Sequence, residues 1–486
     1  MTSSARTDDE PGPVKFSRLP KRGILLGLSG PRLTVVAIAA IMFVAALYLG
    51  GNAIILATPA ILACAALTWV RIAGRAVVEW LPLAARWGHR AASGQLEFRA
   101  RVATPRPAGT LALPGDAASL QQWVDPDSEA AYVHDPHTAT LAAVLEVTHP
   151  AFLLLDPEDR QRRTTGWARV LATACRSGRI ATLQVLERTL PESGKDLTDW
   201  WTHNGHHDDT WSATTYEQLI DRAAPAAEKH ATTISLALDL HACGRAIRAA
   251  GGGRHGALAV LRQELETLIA ALRAADLAPS TPIRPGDLAL ILRSAYDPVV
   301  AAALERHGAL GRDLATAGPV AVTETWGALR SDSAHHAVLW ISEWPRTLVH
   351  PDFLHPLVLA PGVRHTLSLL YTPVRADHAA RDIRKKKTEH LADAAQRQRI
   401  GQIDDAAQDA EYADVLQQEA DVTAGHGILR VTGLLTVTAP DPDELERAVA
   451  STEQAAIQAN CETRRLWGQQ AQAFTAAALP LCRRVR

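Results

Sequence analysis

The chain is predicted to be an α+β protein. An N-terminal two-helix transmembrane hairpin precedes split βαβ (ferredoxin-like) cytoplasmic domains that carry a long helix or helical hairpin. Three observations predict this: two uncharged apolar runs at 33–49 and 53–70, strand-to-helix junctions marked by Asp-Pro at Asp156 and again at Asp441, and a charged, proline-free stretch at 376–420.

At 486 residues the chain exceeds one ordinary core, and a span of roughly 100–200 residues per domain implies two to four folding units. Its 50 basic and 52 acidic residues leave a net charge of -2. That excludes a global positive field for non-specific nucleic-acid binding and leaves only local patches. Five cysteines, an odd count with no CxxC pair, argue against a disulfide framework or a zinc ribbon.

Residues 1–32 mix acids, prolines and a basic run with too little apolar content to fold alone, and are expected to be a disordered basic tail. Each apolar run within 33–70 spans about 26 Å as a helix, close to the roughly 30 Å of a hydrocarbon core. Arg32 precedes the first run, Arg71 and Arg75 follow the second, and the Gly50-Gly51-Asn52 turn carries no charge. The positive-inside rule therefore puts both flanks in the cytoplasm. Trp69 and Trp80 suit an interfacial aromatic belt, and residues 71–110 are expected to be an amphipathic juxtamembrane helix, to about residue 92, and a linker.

Two α+β domains are expected, at 111–315 and 316–486. In the first, strands at 141–148 and 151–155 lead into a helix capped at Asp156 and ending near Ser177. A strand at 181–189, a helix near 213–230, a strand at 232–240 and helices near 242–249 and 255–275 follow. In the second, strands at 319–326, 336–343 and 366–372 precede the 376–420 helical stretch, with Gly401 as its candidate break and Ile403, Ala406, Ala410, Ala413 and Leu416 as its seam. A strand at 428–438 then enters a capping box at Asp441, repeating the plan at Asp156 and suggesting a duplicated split βαβ unit.

Motifs that would carry chemistry are scarce. His203, His206, His207, Asp208 and Asp209 form the densest set of potential ligands but lack helical HExxH spacing, so a solvated loop is the expectation. His335 and His336 are expected at an exposed strand end. Asp196 stands where a phosphate loop needs Ser or Thr after Gly194 and Lys195, and Gly251, Gly252 and Gly253 follow a helix rather than a strand. No GxSxG elbow occurs. No catalytic residue, metal site or cofactor is expected. Arg381, Arg384, Lys385, Lys386 and Lys387 are the strongest basic cluster, expected to be a solvated helix face and the candidate docking or phosphate patch.

The two short spans in a tight hairpin resemble the PrgI-like small membrane subunits of type IV secretion and conjugation systems, including forms fused to the secretion ATPase. The soluble part resembles the non-catalytic amino-terminal domain of that ATPase family, through LPG at 113–115, HDPHTATLAAVLEV at 134–147, WISEWPRTLVHPDFLHPL at 340–357 and LWGQQAQAFTAAALPL at 466–481. The layout, without the ATPase domain, resembles that of actinobacterial integral membrane proteins. The resemblance implies a non-enzymatic, multi-pass scaffold of the inner membrane with both termini cytoplasmic. Its partners would be the lipid bilayer, a separate motor ATPase and other apparatus subunits, with an oligomer and direct nucleic-acid contact left open. The alternatives are a membrane-tethered enzyme with an unrecognised site and a membrane-associated DNA-binding adaptor using the basic helix.

Overall fold

The computed structural model describes residues 30–72, 74–101, 109–149, 151–191, 195–206, 208, 210–223, 228–301, 303–304, 317–400, 406–423 and 427–485. They fall into two compact units, one within Leu19–Leu96 and one holding Glu97–Arg486. The tail expected at 1–32 lies outside the described residues up to residue 29, and its last residues already belong to a helix.

In the smaller unit, α1 (Gly30–Leu49) and α2 (Gly51–Trp69) pack on each other across a one-residue turn. Gly50 makes that turn at φ +99°, a conformation that costs glycine nothing and other residues much. Both helices are long and apolar enough to cross a membrane, and only Ala46 and Thr68 in them are buried. Their threonines bond back to the helix backbone. Thr58 Oγ1 donates to Ile54 O and Thr68 Oγ1 to Cys64 O, each at 2.8 Å.

The juxtamembrane helix expected over 71–92 is shorter: α3 covers Val77–Ala92. The residues before it form a two-rung hairpin, β1 (Arg71–Ile72) and β2 (Arg75–Ala76), turned by Gly74 at φ +77°. Amphipathic periodicity alone does not register that a left-handed glycine breaks a helix at its start.

Among the described residues the larger unit is built on thirteen strands. Its elements are β3 (Glu97–Arg99), β4 (Gln121–Val124), β5 (Ala131–Asp135), β6 (Thr140–Thr148), α4 (Pro157–Ser177), β7 (Ile180–Pro191), α5 (Lys195–Asn204), α6 (Trp211–Ala223), β8 (Glu228–Asp239), α7 (Gly244–Ala249), α8 (Gly253–Arg273), β9 (Ala278–Pro279) and α9 (Pro285–Tyr296). There follow β10 (Ala321–Glu324), β11 (Leu329–Ser331), β12 (Ala334–Glu343), α10 (His355–Val358), β13 (His365–Val374), α11 (Ala376–Ile400), α12 (Ala406–Thr423), β14 (Ile428–Ala439), α13 (Pro442–Gln458), β15 (Glu462–Arg465) and α14 (Gln470–Ala477).

The strands form one antiparallel sheet in the order β3-β10-β11-β12-β14-β13-β7-β8-β6-β5-β4, with β15 also beside β12 and β9 also beside β6. The order is palindromic about the β7–β13 ladder. On one side it reads β7-β8-β6-β9 and on the other β13-β14-β12-β15, and the elements recur in the same sequence order. That central ladder, running from Thr366↔Arg188 to Tyr371↔Leu183, joins the two regions expected as 111–315 and 316–486 into a continuous sheet. The linker region also contributes, because β3 pairs with β10.

Strand alternation divides the core into layers. Leu367, Leu369 and Tyr371 of β13 face the side covered by α4 and α8 over the first half and by α10 and α13 over the second. Leu370 faces the opposite side, where α9, α14 and the extended segment around Leu111 and Leu113 close over Val144, Val338 and Leu434. Each such fully buried leucine contributes about 1.5–3 kcal/mol relative to exposure.

Several local expectations need correction. The strand expected at 151–155 is a single 3-10 turn at Phe152–Leu154, and the helix expected near 213–230 ends at Ala223, with β8 starting at Glu228. Asp441 caps α13 through Glu444 N at 2.8 Å, whereas the Asp156 side chain makes no cap bond. The 376–420 stretch does divide into two helices, α11 and α12, although residues 401–405 lie outside the described residues, and with them Gly401 and Ile403. The hairpin buries Ala379, Ile383 and Val415, while Leu416 of the expected seam is exposed.

Candidate functional site

At the expected membrane interface, the smaller unit groups some of the anticipated residues and leaves others outward. Arg32 opens α1 and places Nε 3.1 Å from Glu79 Oε1 on α3. The Arg75 guanidinium lies 5.9 Å from the ring centroid of Trp80, whose Nε1 donates to Ile72 O at 3.2 Å. A cation over an indole in this way contributes about 0.5–1 kcal/mol where exposed. Trp69 and Arg71 point outward and are exposed.

The five cations of α11 do not share one face. Helical geometry puts 381, 384 and 385 on one side and 386 and 387 on either flank of Ile383, which is buried. Arg381 Nη2 sits 3.2 Å from Asp377 Oδ2, and Lys385 Nζ 3.8 Å from Glu389 Oε1, both within the helix. Lys387 instead reaches across the hairpin, donating to both carboxylate oxygens of Glu419 on α12 at 2.8 and 3.0 Å. That bond is the main cause holding the Lys387 ammonium above its ordinary pKa. His390 stacks on Tyr412 one turn further on, with ring centroids 4.2 Å apart. Only Arg381, Arg384 and Lys385 present an outward basic face, and Lys387 is a strut between helices.

The histidine cluster is partly described. His203 Nδ1 donates to Asp199 O at the end of α5, His206 is exposed, and His207 and Asp209 lie outside the described residues. Among the described residues no group of three or more His, Cys, Asp or Glu is arranged to hold a metal ion. Gly251, Gly252 and Gly253, all at positive φ, close α7 and open α8.

His336, expected at an exposed strand end, is fully buried. Its Nε2 donates to Ser331 Oγ at 2.6 Å, that hydroxyl donates to Tyr296 O, and Nδ1 accepts from Thr438 Oγ1 at 2.9 Å. Phe474 of α14 lies against the ring at 4.7 Å. Burial keeps this imidazole neutral, with its pKa pushed down to about 3. His335, one residue away and on the other face, is half-buried; its Nδ1 donates to Pro440 O.

Polar residues inside the sheet were not anticipated as a site. Gln184 of β7, fully buried, donates through Nε2 to Ser368 Oγ at 2.9 Å, Ala476 O at 3.3 Å and Leu479 O at 3.1 Å, and its Oε1 accepts from Cys482 N at 2.7 Å. It thereby fastens the segment after α14 to the middle of the sheet. The available signal was Thr182, Gln184 and Arg188 falling on one face of an otherwise apolar strand, a pattern that amphipathic reasoning assigns to solvent. Compared with known proteins, the chain matches no family model, and no curated protein matches it.

Proposed function

We propose that the chain is a membrane-anchored scaffold of a conjugative or type IV-like secretion apparatus, in which α1 and α2 span the inner membrane and the sheet unit docks a separate motor ATPase from the cytoplasm. The observation that carries the anchoring is the exposure of Ile41, Phe43, Leu47, Leu49, Ile55 and Leu56 along two paired helices. In water each such side chain forgoes about 1.5–3 kcal/mol of burial, whereas in lipid it forgoes nothing. The charge distribution supports cytoplasmic termini, with Arg32 before the first span and Arg71 and Arg75 after the second.

Two features favour a docking role for the sheet unit. The orders β9-β6-β8-β7 and β15-β12-β14-β13, each with a helix after its first and third strands, support reading each half as a split βαβ, ferredoxin-like unit. The segments at 340–357 and 466–481 carry the likeness to the secretion ATPase's non-catalytic domain, and they form the end of β12 with its following loop and α14 with its approach. The outward face of Arg381, Arg384 and Lys385 suits an acidic surface better than a nucleic-acid backbone, since Arg381 and Lys385 already lie beside carboxylates of their own helix.

Fusion of a periplasm-dependent reporter after Arg486, combined with affinity purification from membranes, tests this reading. The expected outcome is an inactive reporter in the membrane fraction and co-purification of an ATPase that has an intact phosphate loop. An active reporter, or ATP turnover by the purified chain itself that survives removal of contaminating ATPases, overturns it.

A further inference from the structure

On the face of the sheet under α9, two cations have no carboxylate hydrogen-bonded to them among the described residues. Arg188 of β7 is only 4% exposed, and its partner in the ladder is Thr366 of β13. Arg364, two residues before Thr366 at the entry to β13, is largely buried and lines the same cavity with Ser294, Thr436 and Thr438. Diagonal neighbours on one face of an antiparallel pair lie about 7–8 Å apart, within reach of long side chains. Two guanidiniums lining one cavity make a positive site suited to an anion.

Among the described residues no carboxylate lines the cavity. A guanidinium has five N–H donors, and among the described residues Arg188 makes one hydrogen bond, from Nη1 to Ser294 Oγ at 3.3 Å, while its buried Nε has no acceptor. Thr436 Oγ1, in a residue 1% exposed, is likewise unpartnered. The carboxylates that influence these cations, Glu146 and Glu187 for Arg188 and Glu228 and Glu444 for Arg364, act from a distance, and none lines the cavity. A buried charge without a partner is not a stable arrangement, and arginine remains protonated rather than shed its proton.

We propose that this cavity binds a single small inorganic anion of about chloride size, held by Arg188, Arg364 and the hydroxyl of Thr436. The cavity volume, about 20 Å³, is just above the roughly 10–15 Å³ that one water requires. A water would fit and would satisfy the hydroxyl, but it would leave the two positive charges uncompensated. The anion sits at the ladder that joins the two halves of the sheet, so its binding stabilises their union. This inference is independent of the membrane and secretion reading.

The test uses the full chain purified in detergent, with sodium chloride titrated against sodium gluconate at constant ionic strength. Thermal unfolding and the ³⁵Cl NMR linewidth are the readouts. The expected result is a saturable rise in Tm with chloride but not gluconate, and line broadening that bromide displaces. Thr436→Val should weaken the chloride midpoint roughly tenfold, as loss of one charge-assisted hydrogen bond predicts. Arg188→Met should abolish saturation. If Arg188→Met does not fold, Thr436→Val decides. Equal Tm in chloride and gluconate with no displaceable broadening overturns the proposal in favour of a water. A chloride midpoint unchanged in Thr436→Val, or sulfate binding as tightly as chloride, overturns it as well.

Discussion

Gln184→Met tests whether the centre of the sheet holds the C-terminal segment in place. Methionine matches glutamine in length and flexibility, so the substitution removes polar contacts without opening a large cavity. Four hydrogen bonds are lost, but they are not equivalent. Ala476 O still accepts from Ser368 Oγ at 3.3 Å, and Leu479 O still accepts from Leu481 N at 2.9 Å. Cys482 N loses its acceptor in a residue that is buried and holds a left-handed backbone at φ +53°. An orphaned buried donor costs about 1–3 kcal/mol, and each of the remaining bonds about 0.5–1, so the expected destabilisation is about 3 kcal/mol. Urea unfolding of the full chain in detergent, followed by tryptophan fluorescence, measures the total. Hydrogen exchange at 479–485 should accelerate roughly a hundredfold, the equivalent of that free energy. Ser368→Ala should cost about 1 kcal/mol alone and be non-additive with Gln184→Met, because the two side chains bond each other. A loss below about 1 kcal/mol with unchanged exchange at Cys482 would refute the argument that Gln184 is the clamp.

His336 should give the protein an acid-sensitive core: its folded pKa of about 3 lies below the ordinary 6.5, so the unfolded chain takes up the proton first. Its stabilisation is complete above pH 6.5 and is lost progressively as pH falls toward 3, amounting to about 2 kcal/mol between pH 6.5 and 5. Urea midpoints at those two pH values should differ less in His336→Gln than in the parent; an identical difference contradicts the assignment. At Gly166 of α4 an added Cβ would lie 2.7 Å from both Cα and Cβ of Ala275, so Gly166→Ala should destabilise by about 1–3 kcal/mol. An unchanged denaturation midpoint shows that the contact relaxes freely. Lys387→Glu sets two carboxylates against each other across α11 and α12 and should speed hydrogen exchange over 406–423. Adding Glu419→Lys should restore protection, and failure of that reversal would mean the pair is not the strut.

Read from the sequence alone, Arg381, Arg384, Lys385, Lys386 and Lys387 form one solvated helix face. Consecutive residues on a helix are about 100° apart, so position 387 turns toward the partner helix while 385 faces outward. A sequence shows that cations are adjacent in number, but only the packing of α12 reveals which one is claimed by Glu419.

The sequence by itself determined the features that depend on near neighbours. Two uninterrupted apolar runs specify α1 and α2 because a helix satisfies its own backbone, and alternating apolar residues specify β6, β8, β13 and β14. The Asp-Pro junction at Asp441 specifies the start of α13 within a residue, since the cap bond to Glu444 spans one turn. Tertiary structure alone decided what depends on residues far apart in number. Pairing of β7 with β13 joins positions 183 and 371, and nothing in either strand's own pattern selects that neighbour over another apolar strand. Tertiary packing likewise turns Gln184, Arg188 and Thr436 into a buried polar seam covered by α9 and α14, and it buries His336 beneath Phe474. Burial is a property of what lies above a strand, and that covering comes from helices many residues distant in the chain.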